Sequence, residues 1–578
     1  MMMKAPGKGL LKKTGCWFWG ALASVSVCAV AETESDNTVM EEDASCVPYQ
    51  ANKSKTLAIT DAHARVETNV FEGMQGKRIR HIQYNTLSIF DKDDPRENNS
   101  LYLFLNKLHI NTRPHVIRAQ LLFSEGEAFD LPRVQESERI LRKRPYLTNA
   151  YILPLNVCDD QLDVLVVTQD AWALEPQFSV SKESEGTKSG FAISDGNILG
   201  SGNSLTVGYE ENAQRNLVNY DFRNPHIFNS QIAVKLYYAD TSDGRDTIVD
   251  VSHPFYSLQS PWAAGFYTQD VTQEQKIRHM DENINEFQHQ AMNNRVYFGL
   301  ATDITETHTQ RWLVGVSNEE DNFYSTSDTT QPLPLQRKAV YPWVEYQYLE
   351  NRFGVFKNVN QIQRPEDIAL GQNLAFRLGY GGTAFDNTDD VVRYIGNYTN
   401  IIEVDKHHIL EAGVTIDGRH YLNLDSISTA IIGFNVNYNY FQDEKRRWYL
   451  GLRYDIGQDL AQHEELTVGD ITGLRGYPTD FQRGNERYVF TIERRYFSDL
   501  HIFNLMRVGT VVFFDMGKAW GIDEYGYSPL LSNVGVGLRF SSSKVRIGNV
   551  VHVDLATPTS ARAGLDKYQL TIGAQQRF

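Results

Sequence analysis

The sequence is poor in cysteine, in long apolar runs and in positive charge. Four cysteines occur among 578 residues, which excludes a small disulfide-rich scaffold. Beyond the N-terminus, no run approaches the ~20 apolar residues of a membrane-spanning helix. The net charge of -16, without a basic patch, argues against nucleic acid as a partner. What remains is a long chain rich in aromatic residues and glycine, enough for one large domain and a small module.

Signatures of catalysis and of metal binding are also missing. The histidines His279, His289, His407 and His408 lack the spacing of metal ligands, and no Ser/His constellation stands out. The sequence therefore predicts no catalytic residue, no metal and no cofactor, and it favours a protein that is not an enzyme.

The first 31 residues have the pattern of a secretory signal peptide. Basic residues precede an apolar run over 16–30, and Ala29–Ala31 fits a cleavage site. A membrane anchor is the weaker alternative because the apolar run is short. Residues 32–76 are then expected to form a periplasmic tail. Cys46 and Cys158 remain in an oxidising compartment, where a disulfide and two free thiols both stay open.

Residues 77–170 predict a small α+β domain. A strand from Lys77 to Tyr84 is followed by helix-start signals at Thr112 with Pro114 and at Asp130 with Pro132. We expect the first of these helices to run through Leu121. Two closing strands, over 150–155 and 162–168, complete the order strand, helix, helix, strand, strand.

Residues 171–578 alternate between apolar and polar positions in segments of about ten residues, separated by turn residues. From 432 to 440, for example, even positions are apolar or aromatic and odd positions are Gly or Asn. A soluble β-sandwich would alternate likewise, but the length favours an all-β transmembrane barrel. At roughly 25 residues for each strand and loop, about sixteen antiparallel strands are expected.

The end of the chain reads as a final barrel strand. Its apolar face carries Tyr568, Leu570, Ile572 and Phe578, with Gly573 on the other face. The pattern is similar to the C-terminal recognition signal of outer-membrane barrels. Gln576 departs from it, because an apolar residue is usual there.

One loop near the C-terminal end places an arginine between glycines, in Gly473–Tyr477. Two acidic residues follow on segments that read as strands. In the segment from Tyr488 to Tyr496, Tyr488, Phe490, Ile492 and Tyr496 share one parity, which is expected to face lipid. Glu493 has the other parity, so it is expected to face the barrel lumen. The same rule turns Asp515 inward. An arginine fork in a folded-back loop can bind both carboxylates.

These residues carry a family resemblance. Leu474-Arg475-Gly476-Tyr477 resembles the Val/Leu-Arg-Gly-Phe/Tyr motif of the BamA/TamA outer-membrane superfamily, and Phe513-x-Asp515-x-Gly517 is similar to its Phe-x-Asp-x-Gly strand motif. The resemblance implies a sixteen-stranded bacterial surface antigen barrel, with the motif at the tip of its sixth extracellular loop. It implies that Arg475 locks this loop against Glu493 and Asp515.

The small domain resembles a POTRA domain in the sequence of residues 122–130 and in the order of its helices and strands. Such domains stand in the periplasm and can add client segments to a sheet edge. The alternative is a small domain that only supports the barrel. Just one such domain fits here, which departs from family members that carry several.

The resemblance implies an outer-membrane assembly, insertion or translocation factor. Its barrel seam would open sideways, since an unpaired strand edge invites pairing. The implied partners are unfolded outer-membrane or secreted clients, outer-membrane lipid, and periplasmic or inner-membrane accessory proteins. Two alternatives stay open: a two-partner-type secretion pore for one substrate, and a passive structural or porin barrel.

Overall fold

The computed structural model describes residues 46–48, 71–183, 186–212, 215–280, 282–385, 387, 389–422, 428–545, 550–559 and 565–575. Val47–Phe578 form one compact unit, and of the other unit, Met1–Cys46, only Cys46 is described. The predicted signal peptide, most of the predicted tail, Gln576 and Phe578 lie outside the described residues.

A small α+β domain precedes the barrel. Its sheet has the order β1-β3-β4-β2, in which β2 runs parallel to β4 and the other pairs are antiparallel. The elements are β1 (Val47–Pro48), β2 (Arg78–Leu87), α1 (Ser100–Leu108), α2 (Pro114–Arg118), α3 (Leu131–Arg142), β3 (Leu147–Val157) and β4 (Gln161–Asp170).

The core of this domain forms where the inner faces of α2 and α3 meet the sheet. Ile117, Leu141 and Ile152 are all buried in it. Phe71 and Met74, which the sequence assigns to the tail, belong to the same core. Helix α2 ends at Arg118, short of the expected Leu121, and α1 lies before it over a segment whose sequence is apolar and capable of forming a helix.

Cys46 and Cys158 are both disulfide-bonded. Directly beside them, Val47 pairs with Val157 in the antiparallel register between β1 and β3.

The second part is a closed antiparallel barrel. Its strands are β5 (Leu174–Glu183), β6 (Gly186–Asp195), β7 (Ser204–Glu211), β8 (Asn216–Asn224), β9 (Ala233–Thr241), β10 (Gly244–His253), β11 (Trp262–His279), β12 (Glu282–Ile304), β13 (His308–Ser325), β14 (Arg337–Glu350), β15 (Arg352–Lys357), β16 (Pro365–Gly381), β17 (Val391–Asp405), β18 (His408–Tyr421), β19 (Ser428–Phe441), β20 (Arg446–Gln458), β23 (Glu486–Ile502), β24 (Met506–Trp520), β25 (Leu531–Ser542), β26 (Val550–Pro558) and β27 (Gln569–Gln575). A separate two-stranded sheet joins β21 (Leu466–Val468) and β22 (Gln482–Gly484).

The barrel has twenty strand positions, so the expected count of about sixteen is wrong. Strands β14 and β15 pair one after the other with β16 and occupy a single position. The prediction assumed long outer loops. Many connections at both ends of the barrel are instead turns of two to eight residues, such as 242–243 and 503–505, so the same length of chain makes more strands.

The outer wall is apolar and the inner wall is polar. On β25, Val534, Val536 and Leu538 are each more than 40% exposed, whereas Asn533 and Arg539 on the inner face are buried. This alternation follows from the period of two along a strand and presents an apolar belt to lipid. No helix in the described ranges is long and apolar enough to cross a membrane.

The small domain packs against the turns at one end of the barrel, which we call the near rim. The Arg113 amide donates to the Gly200 carbonyl at 3.0 Å, and the Gln231 side chain donates to the Ala119 carbonyl at 2.9 Å. Arg142 binds Asp367 with two hydrogen bonds, of 2.8 and 3.0 Å. The opposite end of the barrel is the far rim.

Two segments fold from the rims into the lumen. The inner loop (residues 459–485) connects β20 to β23 at the far rim and contains β21 and β22. It follows the fifteenth strand position, so it is the eighth far-rim connection, not the sixth. The inner hairpin (residues 352–370) enters from the near rim and consists of β15, its turn and the first part of β16.

Candidate functional site

The tip of the inner loop is built to pack closely against the wall. Gly473 and Gly476 have φ of +99° and +82°, a left-handed conformation that favours glycine. A Cβ on Gly476 would lie 3.1 Å from the Cβ of Ala556, so a larger residue has little room there. These glycines let the backbone present Arg475 to the wall.

The two side chains that flank Arg475 fix the tip in place. Leu474 and Tyr477 are both 0% exposed and share one apolar cluster with Val489 and Leu531. The Tyr477 hydroxyl donates to the Ser532 carbonyl at 2.9 Å and accepts from the Ser532 amide at 3.2 Å. The tip is therefore bound to the wall by apolar packing and by hydrogen bonds as well as by charge.

Arg475 binds both carboxylates that strand parity turns inward. Its Nε and Nη2 donate to the two oxygens of Asp515 at 2.8 and 2.7 Å, and its Nη1 lies 2.8 Å from Glu493 Oε1. Thr491 also donates to Asp515, at 3.0 Å. A bidentate arginine–carboxylate pair has strict geometry, so this contact fixes the orientation of the loop tip as well as its position.

Phe513 and Gly517, which lie beside Asp515 on β24, form the surface against which Arg475 and Leu474 pack. The Phe513 ring lies beneath the guanidinium, with the Arg475 Cζ 3.5 Å from the ring centroid. A Cβ on Gly517 would lie 2.9 Å from the Tyr488 carbonyl and 3.6 Å from a Leu474 methyl group. The aromatic ring supplies a face for the cation, and the missing side chain leaves room for Leu474.

The charges at this site balance. Arg495 lies 2.5 Å from Glu493, and Arg539 lies 2.6 Å from Asp554, which in turn is 3.9 Å from Arg475. With Asp515, the cluster holds three arginines and three carboxylates. Buried charges are tolerated when each has a partner, and the loop tip supplies one of the three arginines.

Sequence reasoning missed two members of this cluster, Arg539 and Asp554. The signal was present, because Val551, Val553 and Leu555 share the outward face of β26 and Asp554 has the opposite parity. The prediction included only Glu493 and Asp515 as partners of Arg475.

The inner hairpin, which the sequence did not predict, lies on the near side of the same cluster. Ile362 at its turn is 1% exposed and is buried in one apolar cluster with Phe497, Val511, Phe513 and Ala556. Phe513 therefore contacts both the inner loop, through Arg475, and the apolar cluster of the inner hairpin, through Ile362.

Polar contacts hold the turn of the inner hairpin across the lumen. Asn358 donates to the Glu444 carbonyl and Gln363 to the Ser498 carbonyl, both at 2.8 Å. Arg507 donates to the Gln363 carbonyl at 2.9 Å. The hairpin thus bridges strand positions far apart around the barrel.

The first and last barrel strands meet at a short seam. Within the described residues, β27 pairs with β5 through Thr571 with Ser181 and Ile572 with Val180. The neighbouring registers are much longer: ten residue pairs join β5 to β6, and seven join β26 to β27. The predicted terminal face includes Tyr568 and Leu570, which are 56% and 49% exposed. Ile572 lies at the seam and Gly573 pairs with His552.

No group of three or more His, Cys, Asp or Glu side chains in the described ranges is placed to hold a metal ion.

No family model matches the chain. A curated relative, the outer membrane protein assembly factor BamA of Buchnera aphidicola subsp. Acyrthosiphon pisum (strain APS), is 26% identical over 153 residues. This match supports the resemblance of the chain to the BamA/TamA-type superfamily. The match covers 26% of this chain and 25% of the relative, so the chain spans about a quarter of the relative's length.

Solved structures of low similarity include a BamA and a CdiB. BamA from Haemophilus ducreyi lacking POTRA domains 1–3 has 12% identity and a TM-score of 0.38, over 86% of this chain and 84% of that one. CdiB from Acinetobacter baumannii has 11% identity and a TM-score of 0.43, over 90% and 96%. The described residues of this chain form a closed antiparallel barrel and a small mixed sheet.

Proposed function

We propose that this protein assembles or inserts client proteins at the outer membrane through its barrel seam. The observation that carries the proposal is the seam itself. Among the described residues, two residue pairs join β5 and β27, whereas their other neighbours are joined by seven or more. A strand edge with few backbone partners is a template for another strand. A client strand can therefore pair with β5 or β27 at little cost in barrel hydrogen bonds.

The occupied lumen supports this route over a permanently open channel. The inner loop enters from the far rim and the inner hairpin from the near rim, and both end on Phe513. A passive porin needs a continuous water path through these segments. A seam route leaves both in place, and the balanced charge cluster then holds the wall beside the seam in one shape.

The small domain would receive clients as a POTRA-type domain. It is joined to the near rim through Arg142 and Asp367, and Asp367 lies on the inner hairpin. A movement of the domain would therefore reach Phe513 through the hairpin. Cofactors and catalysis have no part in this proposal.

A two-partner-type secretion pore is the second candidate, since it would use the same domain and barrel for one exported substrate. Quantitative proteomics of a strain that lacks this protein separates the possibilities. A fall in several unrelated outer-membrane barrels supports assembly. Loss of one secreted protein supports a dedicated exporter. A change in solute uptake alone would contradict both and leave a passive barrel.

A further inference from the structure

Helix α1 of the small domain exposes an apolar face. Leu101, Phe104 and Leu108 are 59%, 55% and 59% exposed. Their spacing places them on one side of the helix. The adjoining side carries Tyr102, which is 6% exposed and stacks on Phe90 with ring centroids 4.4 Å apart. The exposed residues are therefore not needed to hold α1 on its own domain.

The position of α1 is fixed at the near rim beside the seam. The Tyr102 hydroxyl donates to the Phe503 carbonyl in the turn between β23 and β24. Lys544, just after β25, donates to the Ile89 carbonyl at 3.0 Å and lies 2.7 Å from Glu97. Trp172, just before β5, packs against the same apolar cluster as Tyr102. The helix thus lies under strands on both sides of the seam.

The barrel next to α1 also ends in exposed apolar side chains. Leu500, Phe503 and Met506 are 56%, 80% and 39% exposed at the near-rim ends of β23 and β24. They extend the apolar belt that the barrel presents to lipid. Because Tyr102 binds the backbone of Phe503, the apolar face of α1 continues this belt beyond the barrel edge.

We propose that α1 is an interfacial helix that places Leu101, Phe104 and Leu108 in the periplasmic leaflet of the outer membrane, beside the seam. A short amphipathic helix in the plane of a membrane buries such a face at the boundary of headgroups and acyl chains. Continuity with the lipid-facing belt favours lipid over a protein partner. The small domain is then held by the leaflet as well as by the near-rim turns. This inference does not depend on whether the seam opens.

Spin-label accessibility in a bilayer tests the proposal. The full-length protein, at one copy in each nanodisc, carries a nitroxide at L108C, at K107C on the polar side of α1, or at L335C. Leu335 is a matched control, since it is 58% exposed in the far-rim connection between β13 and β14. The expected result is a several-fold higher ratio of collisions with oxygen to collisions with a water-soluble nickel complex at L108C than at either control.

Two outcomes would overturn the proposal. Equal access of the nickel complex to L108C and K107C would mean that the face stands in water. Shielding of L108C from both reagents would mean a protein contact. A second measurement, F104C in the same nanodiscs, must agree with L108C because both belong to the proposed buried face.

Discussion

Arg475→Ala should release the inner loop while leaving the barrel inserted. The substitution removes the only loop side chain that we find bound to Asp515 and Glu493 among the described residues. It leaves the apolar contacts of Leu474 and Tyr477 intact. The loop therefore changes from a state held by charge and packing to one held by packing alone.

The magnitude follows from the two carboxylates left behind. In the variant, Glu493 still has Arg495 at 2.5 Å as a charged partner. Asp515 is 0% exposed, and the contact that it retains is the hydrogen bond from the uncharged Thr491 hydroxyl. Breaking a buried ion pair on one side costs about 3–5 kcal/mol. Since 1.4 kcal/mol is tenfold in an equilibrium, the docked state should lose a factor of about 100 to 4000 relative to the released state.

Hydrogen exchange of the backbone in β21 and β22 measures this release. Exchange should accelerate by about two orders of magnitude or more, while that of β23 and β24 stays slow. The double variant R475M/D515L should recover part of the protection because it leaves no unpaired charge. R446A is the control, since that arginine pairs with Asp443 in an exposed near-rim turn. Unchanged exchange in R475A would refute the clamp.

Three further outcomes are expected. Gly476→Ala should accelerate exchange at the loop tip more than Gly526→Ala, because both have positive φ but only Gly476 faces a close neighbour. Asp367→Asn should weaken docking of the small domain by about 1.5–3 kcal/mol through the loss of its charged bond to Arg142, seen as faster proteolysis between the two parts. Arg144 of the small domain lies 3.4 Å from His226 at the near rim, and burial and this guanidinium lower the pKa of His226 to about 4. This contact is expected to be stable above pH ~6.5 and to weaken as the pH falls toward 4, which hydrogen exchange at acidic pH can follow.

The sequence was sufficient to predict which site residues face the lumen, because this depends only on the alternation of side chains along each strand. Side chains alternate along a strand whatever the barrel size, so the positions of Glu493 and Asp515 on the inner wall needed only correct strand parity. The structure places both against Arg475. The role of this contact as a lock remains a prediction.

The strand count and the inner hairpin depended on information that is not local. Tight turns at both rims decide how many strands the chain makes, and their lengths are poorly marked in an alternating sequence. The burial of Ile362 depends on strands more than a hundred residues away, including those of Phe497 and Phe513. Its own neighbours, Gln361 and Gln363, read as an ordinary polar turn.

The central claim is that clients use the seam, and a reversible lock across it is the most direct test. Val180 and Ile572 are register partners in β5 and β27, so V180C with I572C should form a disulfide at ordinary strand spacing. The matched control pairs I572C with V553C, its partner on the other side in β26. Oxidation of the seam pair should stop insertion of an unfolded outer-membrane barrel into proteoliposomes, and reduction should restore it. The protein with the control pair should insert the barrel normally. Full insertion by the oxidised seam pair would contradict the claim that clients use the seam.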